Sequence, residues 1–188
     1  KSLSANSEYF QNILNTRLTI HDFKPEPVPK NVIDEALKSF MATPNHFLTK
    51  PWSIYVLGSK VKDKIIDLNT TTVLLEKGEK AAQIKKTRWS TVPCWVLVNC
   101  VLSSDKIRFQ EDYAACACGI QNMMLSLWSN GYGSKWTTGP VTRHKEFSRI
   151  VGFDLEREVV VGLLWCGLPN TMPKRKKRDC DTNVTWLS

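Results

Sequence analysis

The chain has 188 residues, enough for one domain with a sizeable core, and its 42% hydrophobic content excludes a disordered chain. The formal charge is +8, from 26 basic and 18 acidic residues, but five positive charges sit in one run, "KRKKR", 174–178; without it the balance is an ordinary +3. The excess is therefore local. It points to one anionic partner or a solvated basic segment, and no run of about 18 apolar residues is present to span a membrane.

Residues 7–17, "SEYFQNILNTR", place Tyr9, Phe10, Ile13 and Leu14 on one helical face. The following "LTIHDFKPEPVP" holds three prolines and reads as extended. Pro29 suits the first turn of a helix over 30–41, where Val32, Ile33, Ala36, Leu37, Phe40 and Met41 recur at helical spacing. "ATPNHFLTKPW", 42–52, then leads to a strand over 52–57 with more chemistry than a connector needs. Ser59 caps a short helix, 60–68, and 69–91 read as loop and broken helix.

"VPCWVLVNCVL", 92–102, is apolar on both faces and so central in a sheet. Residues 111–130 form a helix with no polar face after the first turn, hence buried all round. Its Ala114, Ala115, Ala117, Cys118 and Gly119 let another backbone approach, and a second subunit is the economical way to cover it. Gly131 ends it. "GYGSKWTTGP" carries a short strand around Trp136. Thr142 caps a helix over 143–151, ended by Gly152, and "EVVVGLLWCGLP", 158–169, is a second fully buried strand. The tail "NVTWLS", 183–188, alternates polar and apolar residues and is expected to add a strand to a partner's sheet. The pattern is α+β: one small central sheet with helices on both faces.

Six cysteines, mostly in apolar stretches and with no C-x-x-C pair, suit reduced thiols in an intracellular, cytoplasmic protein. The chain begins at Lys1, which leaves an upstream targeting segment open. The sequons at Asn69 and Asn183 conflict with that compartment. His21, His46 and His144 lie far apart, so no metal site is expected. G-x-S-x-G and P-loop motifs are absent, and "GYGSKW" lacks the third glycine of a dinucleotide fingerprint. Arg17, Thr19 and His21 fall on one side of an extended strand. They read either as a favourable cation closing a helix, or as a fork, a hydroxyl and a second donor for a phosphate.

The order R-x-T-x-x-D-F, P-N-H-x-x-x-K-P-W, a small-residue helix leading to G-Y-G-S-K-W-T-T-G, and "VVGLLWCGLP" with basic residues after it, spans roughly 8–170. It resembles the FMN-dependent nitroreductase family, most of all its short YdjA-type subgroup. The resemblance implies a single flavin-binding domain over 1–188 with a nitroreductase-like α+β fold and a small mixed or antiparallel sheet. It also implies an intertwined homodimer with non-covalent FMN at the subunit interface. Electrons would pass by ping-pong transfer from NAD(P)H through flavin N5 to a nitroaromatic, a quinone or another small acceptor. The phosphate side falls on Arg17, Leu18, Thr19 and His21, helped by Lys174, Arg175 or Arg178. The contacts before the first strand fall on Ala42 and His46, with Lys50 after them, and Trp136, Thr137 and Thr138 fall beside the ring. Leu18 and Ala42 stand where relatives carry arginines. That loss, with the basic run, keeps an alternative: a weakened FMN- or nucleotide-binding member with a scaffold or nucleic-acid role.

Overall fold

The structure is a computed structural model and describes residues 4–175 and 184–187. Its elements in chain order are α1 (Ala5–Thr16), α2 (Lys30–Met41), β1 (Trp52–Val56), α3 (Ser59–Lys77), α4 (Glu79–Ser90), β2 (Cys94–Val101), α5 (Lys106–Ser129), β3 (Gly133–Thr137), α6 (Lys145–Val151) and β4 (Glu158–Gly167), with 3-10 turns at His46–Leu48 and Pro140–Arg143. The strands form one sheet in the order β1-β2-β4-β3, antiparallel at every step. The two strands that are apolar on both faces take the centre. Between helices α1 and α2, the chain runs along the β3 edge, where Thr19 makes an isolated parallel bridge to Ser134.

Two apolar layers follow. One face of the sheet packs against α2 and α5 through Ile33, Phe40, Val96, Val98, Ile120 and Met123. The other packs against α3, α4 and α6 through Ile65, Trp89, Trp95, Leu97, Phe147 and Trp165. Close approach at two glycines sets the first layer. A Cβ on Gly119 of α5 would lie 2.6 Å from the Phe40 ring, so α2 seats its phenyl where only a glycine fits. A Cβ on Gly162 of β4 would collide with Trp136 Nε1 and Cδ1.

Several sequence expectations change. The helix expected over 60–68 continues to Lys77, and Ser59 is its first residue, not its cap. The stretch 69–91 is not mainly loop: α3 and α4 meet at Gly78. Buried Ile65, Ile66, Val73, Ala82 and Trp89 hold this hairpin on the sheet. Tertiary burial thus overrides the β-branched run Thr70–Thr72, whose Thr70 and Thr72 hydroxyls donate back to Ile66 and Leu68 carbonyls. Helix α5 starts five residues earlier than expected, capped by Asp105, which accepts from Ile107 and Arg108 amides. It is not buried all round within one chain. The sheet and α2 cover one side, while Ala114, Cys118 and Gln121 remain exposed. His144, not Thr142, caps α6, accepting from the Glu146 amide.

Gly162→Ala is expected to destabilise by about 1–3 kcal/mol, because the added methyl must displace Trp136 from the sheet. The shift in denaturant midpoint at constant m-value measures it.

Candidate functional site

The extended segment after α1 positions the first group. Arg17, Leu18 and Thr19, with Asn15, line a cavity of about 310 Å³ whose other wall is Pro173, Lys174 and Arg175. The chain end after β4 is brought here by two backbone ties. Phe23 bridges Pro169, and the Lys24 amide donates to the Leu168 carbonyl at 2.9 Å. Asp22 accepts from Asn170 and Thr171 side chains, each at 2.8 Å, which holds its carboxyl below the usual range. The expected phosphate group is thus gathered from residues more than 150 positions apart, with Arg178 lying outside the described residues.

His21 stands apart from that cavity. Burial, then the charges of Lys135 and Arg88, lower its pKa. Those two cations belong to a second cavity of about 170 Å³ between the α3–α4 hairpin and β3, lined by Lys85, Arg88, Trp89, Lys135, Thr137, Gly139 and Trp165 among others. Thr137 lies here, while Thr138 lines a different cavity of about 540 Å³ with Tyr113, Arg143 and Glu158. Trp136 points to the opposite face. Its indole N–H donates to the Val161 carbonyl at 3.0 Å, a structural contact.

The residues of the 42–52 stretch gather elsewhere. Ala42 closes α2 and lines a cavity of about 350 Å³ with Phe10, Ile13 and Leu125. His46 Nδ1 lies 2.9 Å from Glu111 Oε2 on α5, and the imidazole stacks on Phe47 at 3.9 Å. The Asn45 amide donates to Thr49 Oγ1 at 2.9 Å, and the Thr49 hydroxyl donates to buried Asp112 at 2.6 Å. Asn45 Oδ1 accepts from the Lys50 amide at 2.7 Å. Lys50 is exposed. This loop is pinned to α5, so the sheet stands between it and the Lys85–Arg88–Lys135 cavity. One chain therefore brings Arg17, Leu18, Thr19, Lys174 and Arg175 together but does not bring His21, Ala42, His46 or Lys50 to that cavity.

Sequence reasoning missed Lys85, Arg88 and Lys135. Lys85 and Arg88 share a helix face at i,i+3 spacing, a signal lost when 69–91 was read as loop. Among the described residues, no group of three or more His, Cys, Asp or Glu could hold a metal ion, and no helix is long and apolar enough to cross a membrane.

Residues 14–168 match the model of the Nitroreductase family. The chain belongs to the nitroreductase family. It is 32% identical over 174 residues to YfhC of Bacillus subtilis, named as a candidate NAD(P)H nitroreductase, covering 89% of this chain and 88% of that one. The fold is shared with a nitroreductase-like family protein from Bacillus cereus, with a TM-score of 0.85, 24% identity, and coverage of 100% and 97%. It is also shared with a nitroreductase from Desulfitobacterium hafniense solved with bound FMN, with a TM-score of 0.74, 17% identity, and coverage of 96% and 98%.

Thr49→Ala is expected to cost about 1–3 kcal/mol, since it strips buried Asp112 of its hydroxyl donor and releases the loop from α5. Thermal unfolding of the two proteins measures the loss, and limited proteolysis should cut near 45–50 faster in the variant.

Proposed function

We propose that this chain is an FMN-dependent oxidoreductase that accepts electrons from NAD(P)H and passes them to a small acceptor. The observation that carries this reading is the convergence of Arg17, Thr19, Lys174 and Arg175 on one cavity. A guanidinium fork, an ammonium and a hydroxyl suit a terminal phosphate, and two later cations offset the leucine at position 18. Thr137 at the end of β3 and Gly139 in the turn after it border the second cavity, whose aromatic side chains and cations suit a flat, electron-accepting ring. When bound, FMN supplies the hydride chemistry at N5, taking it from NAD(P)H and giving it to a nitroaromatic, a quinone or another small acceptor in the same slot. The residues bind and orient the cofactor and keep its environment positive.

A homodimer completes the arrangement. Tyr9 and Phe10 of α1 are 60% and 55% exposed, Met41 is 51% exposed, and the uncovered side of α5 is small and weakly polar. Such a surface fits a second copy better than water. With two copies, the loop around His46 from one can reach the cavities of the other, which the sheet forbids within one chain. Val184, Trp186 and Leu187 are exposed and in no strand, consistent with pairing that needs a partner. Lys174 and Arg175 line a cavity instead of an open face, which favours a phosphorylated small molecule over a nucleic acid.

Purified protein is expected to carry non-covalent flavin, seen in its visible spectrum and released by denaturation; a colourless protein that FMN cannot reconstitute would sink the reading. Arg17→Ala should weaken FMN binding by about 1.5–3 kcal/mol, the scale of a charged hydrogen bond, and leave riboflavin binding nearly unchanged. Fluorescence titration of the apoprotein compares the two. Ala117→Trp should overpack the α5 contact and shift the protein towards monomer with loss of flavin, measured by analytical ultracentrifugation. His46→Ala should cost FMN affinity about 1–2 kcal/mol, one hydrogen bond plus some packing.

A further inference from the structure

We propose that Cys94 of β2 and Cys166 of β4 form a reversible dithiol–disulfide couple, in which Cys94 reacts with a small-molecule disulfide and Cys166 resolves the product. This does not depend on the flavin reading above. The two residues are directly paired in the antiparallel β2–β4 register. Residues so paired have Cα atoms about 4.5 or 5.5 Å apart, and both spacings fall in the range of about 4.4–6.8 Å that a disulfide spans. Paired residues also send their side chains to the same face of the sheet. The next pair, Trp95 and Trp165, shows how close this register brings its partners: on the opposite face the two indoles stack with ring centroids 5.7 Å apart.

Access separates the two sulfurs. Cys94 is partly exposed, whereas Cys166 is fully buried. Cys100 of β2 and Cys116 of α5 also interact, but both are fully buried and closed to a solute. Among the described cysteines, only Cys94 is both open to a solute and opposed by a second thiol across a strand pair. Its surroundings favour the reactive thiolate. The Lys62 ammonium of α3 is fixed beside it by donating to the Val92 and Pro93 carbonyls, each at 2.9 Å. A hydrogen bond with the Cys166 thiol lowers the Cys94 pKa most; burial opposes that shift, and the Lys62 charge adds to it. The same bond, burial and the charge on Cys94 push the Cys166 thiol up. Once the Cys94 sulfur is in a mixed disulfide, its negative charge is gone and no longer opposes ionisation of Cys166. The first step therefore releases the resolving sulfur for the second.

The exchange balances in two steps. The Cys94 thiolate attacks one sulfur of a disulfide RS–SR, which breaks that bond and releases RS⁻. Cys166 then gives up its proton and attacks Cys94 Sγ, which breaks the mixed disulfide and releases the second RS⁻. The two departing thiolates take up the protons that the two cysteines lost. The protein is oxidised by two electrons, and the small disulfide is reduced to two thiols. Excess small thiol drives both steps backwards. The sequence-based reading took the cysteines as small apolar groups. The register of two strands distant in sequence, which no spacing motif announces, sets this pair apart.

The test treats the folded chain, carrying Cys118→Ser and Cys180→Ser, with oxidised glutathione, and reads intact mass and peptides mapped without reduction. The chain is expected to lose two hydrogens, to yield a peptide that links Cys94 to Cys166, and to regain its starting mass in dithiothreitol. Adding Cys166→Ala should leave a stable glutathione adduct on Cys94. Adding Cys94→Ala should leave the remaining thiols unmodified. Lys62→Met should move the midpoint of the modification rate's pH profile upward, and an unmoved midpoint overturns the role given to Lys62. A Cys94 that stays reduced, a glutathione adduct that persists with Cys166 present, or a link between Cys100 and Cys116 in its place overturns the inference. Should Cys166→Ala not fold, the linked peptide from the parent chain decides alone: its presence supports the couple and its absence overturns it.

Discussion

The indole of Trp136 lies flat across Gly162 and donates its N–H to the neighbouring Val161 carbonyl. That one contact ties β3 to the bare stretch of β4 and fixes the register in which Trp136 faces Leu164 and Thr137 faces Leu163. Side chains on a strand alternate, so once Trp136 is committed to the α2–α5 layer, Lys135 and Thr137 face the α3–α4 layer. A one-residue slip would exchange them and bury an ammonium where the indole now sits. The places of Lys135 and Thr137 in the cavity lining both follow from a glycine that admits a large neighbour.

The same sheet enforces a division of labour. Its central strands are apolar on both faces and leave no passage between the layers. The polar groups of each layer must act on their own side. One side holds the cavity lined by Lys85, Arg88 and Lys135. The other holds the loop carrying His46 and the small face of α5. On that side Tyr9 and Phe10 of α1 and Ala114 and Cys118 of α5 stay exposed.

Much of this was legible in the sequence where burial and local pattern agree. Helix α2 has the expected limits, and β2 and β4 are central because their apolar runs lack alternation. Arg17 and Thr19 could be grouped because extended backbone puts both on one side, and both line one cavity. The α3–α4 hairpin was not legible. Its threonine run and Gly78 carry weak helical preference, and α4, though made of good helix formers, offers few apolar residues to mark a buried face; Val73, Ala82 and Trp89 are what the hairpin buries. Missing the hairpin meant missing Lys85 and Arg88. The cap at Asp105 was hidden for a different reason: the apolar periodicity of α5 starts a turn after its cap.

The loop between α2 and β1 shows what the odd composition of that stretch accomplishes. Phe47, Leu48 and Lys50 all have left-handed backbone, at φ 57°, 50° and 48°. For residues with a Cβ that conformation costs roughly 1–2 kcal/mol each. It persists because Asn45 bonds to both ends of the turn and Thr49 ties it to Asp112, so the side chains that looked excessive for a connector are what hold it. The strained form leaves Phe47 and Leu48 76% and 77% exposed, with Arg108 5.8 Å above the Phe47 ring. An unstrained loop could fold these two side chains back against its own chain. A loop held open at this cost presents an aromatic and an aliphatic group outward in one fixed geometry.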